Sequence, residues 1–523
     1  MKKIFIFLVM LLMALPVKAL SVSVKTTYVN LSNLTYSSDG KTYKNIIEYT
    51  TLEDFLEAKE SNKLDDIYIT DFLYDGVSTV KSPDLDDFIE NDSNDTKIKT
   101  LEIKVINVNT VGNIEFTGEI KGAMIGVNTN GITGDITLVL NNVNLDTDSK
   151  KAPAIYVYNK DKNYTDHKVY IQTKKNSKNY LEGGKLKKVS LIGSDELDKY
   201  TSYYSGDSLT NYNKYTNYYG IYSSSEIDNI LFATVQADNE DLQDGDPYYF
   251  YKASGAISSD IDLYFQGEGY LKVTSKNKEG IETKGNLTFS GGTGDYEIYA
   301  EDDCLNTTTA IGDNVRNDIT IDVNSLVAIV SEDGDEGDAI DSNGKLIING
   351  GTIYAFAHPS SADAGLDSGN GTYINGGTVI ATGNMVDAIS GESKQKYLYA
   401  SFNTISKDTL IVIKDQDDNI ITAFKTSRSI QNLLYSSKDL NYKSYKVYTG
   451  GTIDGTETNG LYTKINSYTD GEEIQYRDSS SALITKDTSN KLLLKLLLIE
   501  SGVLILFVTI VKFVKYGIKK RVN

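Results

Sequence analysis

Three stretches of this chain pass through the same elements in the same order: an acidic corner, an alternating apolar run, a glycine pair and a second run. They are EGIETKGNLTFSGGTGDYEIYA from Glu279, GDAIDSNGKLIINGGTIYAFA from Gly337 and DAGLDSGNGTYINGGTVIATG from Asp363. Aligning the pair gives Gly291, Gly350 and Gly376, with Asn324 holding the place between the first two and Gly267 preceding them. The steps are 24, 33, 26 and 26 residues. A period of this size marks a solenoid, in which each repeat buries its apolar face only against its neighbours. Strand-length alternation rich in β-branched and aromatic residues makes the unit a β-coil. The glycines then turn a corner where a Cβ would obstruct the backbone. The alternative is a set of loosely similar hairpins in a sandwich.

The ends carry different signals. Residues 1–19, MKKIFIFLVMLLMALPVKA, combine two lysines, an apolar stretch and a small-residue end, and read as a secretory signal peptide. Residues 492–514 form an apolar run followed by Lys515, Lys519, Lys520 and Arg521. That length spans a bilayer of ~30 Å, and the basic tail at 515–523 places the C-terminus in the cytoplasm. Lys495 and Glu500 interrupt the run, which leaves an interfacial amphipathic helix as the alternative. The expectation is a single-pass cell-surface protein with its bulk outside, joined to its transmembrane helix by a stalk at 476–491.

A net charge of -20 opposes binding to nucleic acid, and no basic stripe interleaved with aromatics appears. The single cysteine, Cys304, excludes an intramolecular disulfide and reads as core filler. With two histidines, neither a histidine-rich zinc site nor a Ser-His-Asp triad is indicated. Residues 20–95 are polar, with one helix at TLEDFLEAKE capped by Thr51 and no assigned role. Residues 96–475 carry the β pattern. An insertion at 196–252 is rich in tyrosine, and Tyr218, Tyr219, Tyr248 and Tyr249 are candidate sugar-stacking rings. The same tyrosines also suit a loop that shields the strands.

At the corner, the aligned apolar column is Ile257, Ile281, Leu305, Ile340, Leu366 and Ile389. Two residues before it stand Glu279, Asp303, Asp338 and Asp387, with Asp302 beside Asp303 and Asp363 displaced by one; one residue after it stand Glu282, Asn306, Asp341 and Asp367. Stacked coils would bring such carboxylates to ~4.8 Å of one another. Coulomb's law at an effective dielectric of about 20 then gives roughly 3.5 kcal/mol of repulsion per pair before screening. Calcium resolves that conflict, because it takes six to eight oxygens from flexible loops. The competing explanation is that turns simply favour Asp.

Taken together, ITLVLNNVNLDTDSKKAPAIYV, SGAISSDIDLYFQGEGYLKVTSKNKEGIETKGNLTFSGG, EDDCLN, the two NGGT coils and YTGGTIDGTETNGLY are similar to one known family. Over roughly 95–470 the chain resembles the bacterial carbohydrate-binding-domain proteins, typified by a clostridial cellulose- and pectate-binding protein. The resemblance implies an all-β, right-handed parallel β-helix like that of the pectate lyases, calcium in its corners, and polysaccharide binding. The chain departs from that pattern in having Asp303-Cys304-Leu305 where Asp-Gly-Ile is commoner, and Ala364 where an aspartate is expected. The Tyr-rich insertion and the C-terminal span are additions.

The leading expectation is therefore a membrane-anchored, calcium-stabilised polysaccharide-binding protein without catalysis, its ligand a cellulose- or polyuronate-like glycan. One rival is a calcium-dependent polysaccharide lyase, with Lys284 or Arg316 as the base. The other is a structural adhesin.

Overall fold

The computed structural model describes residues 25–70, 103–129, 131–148, 152–159, 167–184, 189–192, 248–250, 255–308, 317–385, 387–440, 444–458, 460–469 and 471–478. The leader-like residues 1–19, the apolar run 492–514, Tyr218, Tyr219 and Arg316 lie outside these. Among the described residues no helix is long and apolar enough to cross a membrane; the expected transmembrane helix at 492–514 falls outside them.

The described chain is almost all strand, and the apolar column sets its layout. Ile257, Ile281, Leu305 and Ile340 face one another across successive parallel pairings. They occupy the strands Ile257–Ser259, Ile281–Thr283, Leu305–Thr307 and Ile340–Ser342, in the middle of a ten-stranded sheet. All four are fully buried, Leu366 is nearly so, and the five share one core with the inward residues of the large sheet. Ile389 sits at the end of the column, bridged to Thr372 and only partly buried against that core.

The large sheet corrects the expected open right-handed parallel β-helix. Its pairings run from Ile136–Asp146 through Val169–Thr173, Leu263–Gly267 and Leu287–Phe289 to Ile319–Val330. They return through Asp295–Ala300, Tyr270–Ser275 and Lys178–Gly183 to Ile136–Asp146. All eight contacts are parallel, so the strands close into an eight-strand parallel barrel and not an open solenoid. The reason is local. Within the barrel three rungs break at the kink into two short strands, but Ile136–Asp146 and Ile319–Val330 run on through it, as Gly112–Lys121 and Leu346–Phe356 do beyond it. Each therefore pairs with two columns and ties them together.

The glycine pairs sit at this kink. Leu346–Phe356 passes through Gly350 and Gly351 as one strand, and Gly351 adopts φ +99°. A Cβ there would lie 2.4 Å from the Val323 carbonyl oxygen, so both the left-handed backbone and the close approach require glycine.

Both ends of the parallel stack are covered. At the start, Thr26–Asn30 pairs with Gly112–Lys121 and Ile67–Thr70 with Lys104–Val108, so part of the segment expected to be merely polar belongs to both sheets. The helix Leu52–Glu60 begins where Thr51 Oγ1 accepts from the Asp54 N–H at 3.1 Å, and its Phe55 packs on Tyr49 and Tyr68. At the far end, Thr378–Gly383 turns from parallel to antiparallel pairing with Ile430–Ser436. A six-stranded sheet follows, whose Ile411, Ile413 and Phe424 pack on Val327, Tyr354 and Phe356. Covering the last strand removes an edge that would otherwise recruit another chain.

Candidate metal centre

The corner before each short strand is built from main-chain bonds between rungs. Ile281 N–H donates to the Cys304 carbonyl at 2.9 Å, and Cys304 N–H to the Asp338 carbonyl at 3.2 Å. With these carbonyls used, side-chain oxygens satisfy the next donors. Asp303 Oδ1 accepts from Asp338 N–H at 2.7 Å, and Asp338 Oδ1 from Ala364 N–H at 2.5 Å. Asp303 and Asp338 thus each link their rung to the next with one oxygen; the second oxygen of Asp303 is taken by Asn306, while that of Asp338 remains for other work.

One residue after the apolar column, Glu282, Asn306, Asp341 and Asp367 are in register on consecutive strands. Oxygens of Asp338, Asp341 and Asp367 lie within 4.8 Å of one another. Next to this trio are Asp303, Asn306 and Glu279, with Asn306 Nδ2 donating to Asp303 Oδ2 at 2.6 Å. Asn306 Oδ1 and Glu279 Oε2 are buried with no hydrogen-bond partner, an expensive state for polar atoms.

Burial, then mutual repulsion, raises these carboxyls. Asp338 is pushed up to about 8, chiefly by desolvation. Asp341 is pushed up to about 7 by desolvation and then by the charge of Asp367. Glu279 and Asp303 shift the same way, first by desolvation and then by Glu282 and Asp302 respectively, and Asp367 rises through burial and Asp387. Lys278 reaches the edge of the group, 2.9 Å from Asp302.

Other expected ligands are placed differently. Asp363 Oδ2 accepts from Gly337 N–H at 2.7 Å and from the Ser361 hydroxyl, so it is committed to the turn. Asp387 accepts from Ser368 Oγ at 2.8 Å and Ala388 N–H at 2.6 Å. Asp302 is held by Lys278, and Glu282 is buried in the same column. Cys304 fills the core, and burial pushes its thiol far up. Tyr248 and Tyr249 lie on a strand paired antiparallel with Val189–Ile192; their side chains are outside the described residues.

The oxygens present suit a hard cation. Calcium binds oxygen at ~2.4 Å, so two ligands on opposite sides of one ion stand ~4.8 Å apart. The carboxylates and the Asn306 amide oxygen are the donor types that ion takes, and two of these atoms, Asn306 Oδ1 and Glu279 Oε2, have no partner.

A family profile of carbohydrate-binding domain-containing proteins matches residues 221–484, just over half of the chain. The chain belongs to that family. Membership makes carbohydrate its ligand class, and the matched span contains every acidic residue of the corner. No curated protein and no solved structure matches this carbohydrate-binding domain protein.

Two tyrosines that sequence reasoning passed over, Tyr170 and Tyr264, face each other on adjacent strands with ring centroids 5.2 Å apart. The signal was present in VYIQT at 169–173 and LYFQG at 263–267, which share one pattern.

Proposed function

We propose that this is a non-catalytic polysaccharide-binding protein whose acidic corner takes calcium, and that the same ion lets so acidic a chain hold a carboxylate-bearing glycan. The observation that carries this reading is the convergence of Asp338, Asp341 and Asp367 beside buried oxygens that have no partner. Bound calcium would supply the positive charge these residues lack. Asp338, Asp341 and Asp367 would hold it, with Asp303, Asn306 and Glu279 adjoining. A net charge of -20 otherwise repels a polyuronate. Export follows from the leader-like residues 1–19.

Two features favour binding over catalysis. Lys284 Nζ is 2.8 Å from Asp260 Oδ1, and both side chains are largely buried, so the lysine is held as a counter-charge and not as a free base. His358, Ser361 and Asp363 meet, but the carboxylate accepts from the serine hydroxyl and not from the imidazole, so the triad relay is missing.

The test is retention on immobilised polygalacturonate, with calcium and with EDTA. The parent should be retained in calcium and released by EDTA, and Asp338→Asn/Asp341→Asn should be retained poorly in both. No absorbance from a 4,5-unsaturated uronate should develop. Retention indifferent to EDTA and to the substitutions would remove calcium from the reading. Unsaturated product, abolished by Lys284→Ala, would replace it with a lyase.

A further inference from the structure

The acidic corner accounts for binding through an ion, yet the outer face of the barrel wall has a different chemistry. Val169, Ile171, Leu263 and Phe265 are fully buried. Alternation along a strand therefore turns Tyr170, Gln172, Tyr264 and Gln266 outward, and all four are half-buried. Register places Tyr170 directly beside Tyr264, and Gln172 beside Gln266. The two rings lie at 36° to one another, and Gln266 Nε2 donates to Gln172 Oε1 at 2.9 Å. The same column continues with threonines on both sides, Thr137 before Tyr170 and Thr288 after Tyr264.

Charge on this face is balanced where the corner's is not. Glu115 accepts from Lys174 Nζ and Asn141 Nδ2, each at 2.7 Å. Lys168 Nζ lies 5.1 Å from the centre of the Tyr264 ring. Asp262, beside Tyr264, has both oxygens occupied: Oδ1 accepts from the Asn286 N–H at 2.9 Å and Oδ2 from the Tyr264 hydroxyl at 3.5 Å.

We infer that the paired Tyr170 and Tyr264 rings, with Gln172 and Gln266 beside them, form a second glycan-binding surface that takes an extended, uncharged polysaccharide chain without calcium. Aromatic rings offer flat apolar faces to the C–H faces of pyranoses. Amide side chains offer a donor and an acceptor to ring hydroxyls. Adjacent rungs are ~4.8 Å apart, comparable to the length of one pyranose unit, so successive sugars can meet successive tyrosines. The inference rests on the carbohydrate-binding reading but not on its calcium.

The experiment uses the full chain on amorphous cellulose, a neutral β-glucan, in EDTA, and on polygalacturonate in calcium. Tyr170→Ala/Tyr264→Ala should bind cellulose about tenfold more weakly or worse, while Tyr170→Phe/Tyr264→Phe, which keeps the rings, should bind like the parent. Polygalacturonate retention should be unchanged in both variants. Should the alanine pair fail to fold, covalent footprinting of the parent gives the same answer: Tyr170 and Tyr264 should be protected by cellulose. Unaltered cellulose binding by a folded alanine variant, or rings that stay equally labelled with cellulose present, would overturn the inference. A parent that holds polygalacturonate but ignores cellulose in EDTA would overturn it alone and leave the calcium reading standing. A parent that holds neither would remove both.

Discussion

EDTA should lower the melting temperature of the parent protein, and Asp338→Asn/Asp341→Asn should reverse the order of stabilities. Mass action withdraws RT ln(1 + [Ca]/Kd) when the ion is removed, roughly 2.7 kcal/mol if calcium had stood at a hundred times Kd. About 1 kcal/mol moves the midpoint by 2–4 °C in a domain of 150–250 residues and by less in a larger one, so the fall is a few degrees. The crossover is more telling than the size. In calcium the double variant should melt below the parent, because it has lost ligands. In EDTA it should melt above the parent, because it has lost two carboxyls whose ionisation the fold disfavours.

The same carboxyls give the metal-free protein a pH dependence. Their values in the fold are raised, to about 8 for Asp338 and about 7 for Asp341, so the folded state holds protons that the unfolded chain has released. Their contribution is fully present below the ordinary carboxylate value of 3.8 and is lost as pH rises through 7 and 8. Thermal melts in EDTA should therefore decline between about pH 4 and pH 8. Calcium should oppose the upper part of that decline, since it binds the deprotonated groups. Melts that ignore EDTA, the substitutions and this interval together would leave the corner acids as ordinary turn residues.

Ile340→Ala should cost ~2–5 kcal/mol, the range for emptying a fully buried aliphatic position. Ile340 stands between Leu305 and the Asp367 rung, and its neighbours Asp338 and Asp341 are the metal-centre carboxylates. Collapse of the column there should also weaken calcium binding. Ile389→Ala is the control. Ile389 is only partly buried and lies at the end of the column, so its loss should cost less than half as much. Urea denaturation measures both, with a lower midpoint at unchanged slope. Equal costs would mean that the column carries no more of the core than its exposed end does.

The column was legible because each rung carries its own apolar residue beside its own acids, and a parallel ladder keeps them in register. Closure of the large sheet was not. Whether a kink breaks a strand or lets it continue depends on the neighbouring rungs. Asn142, with φ 57°, lets Ile136–Asp146 run on, while Gly291 and Gly292 separate Leu287–Phe289 from Asp295–Ala300. Both are small turn-forming positions in the sequence. Alignment likewise found Asp363 and Asp387 but could not show that Gly337, Ser361 and Ser368 already occupy their oxygens, since those contacts depend on how the chain returns to the corner. The strand Thr26–Asn30 was missed because five alternating residues among polar ones are a weak signal without their partner Gly112–Lys121. Tyr170 and Tyr264 were passed over because the denser tyrosines of 196–252 lie between them in the sequence.

The most direct test of the acidic corner is a calorimetric calcium titration of the full chain, run on the parent and on Asp338→Asn/Asp341→Asn at neutral pH. The parent should show saturable binding with proton release, because raised carboxyls must deprotonate to bind the ion. The double variant should lose that heat while keeping its fold. A parent that binds no calcium, or a folded double variant that binds it as tightly as the parent, would contradict the assignment of the ion to Asp338, Asp341 and Asp367.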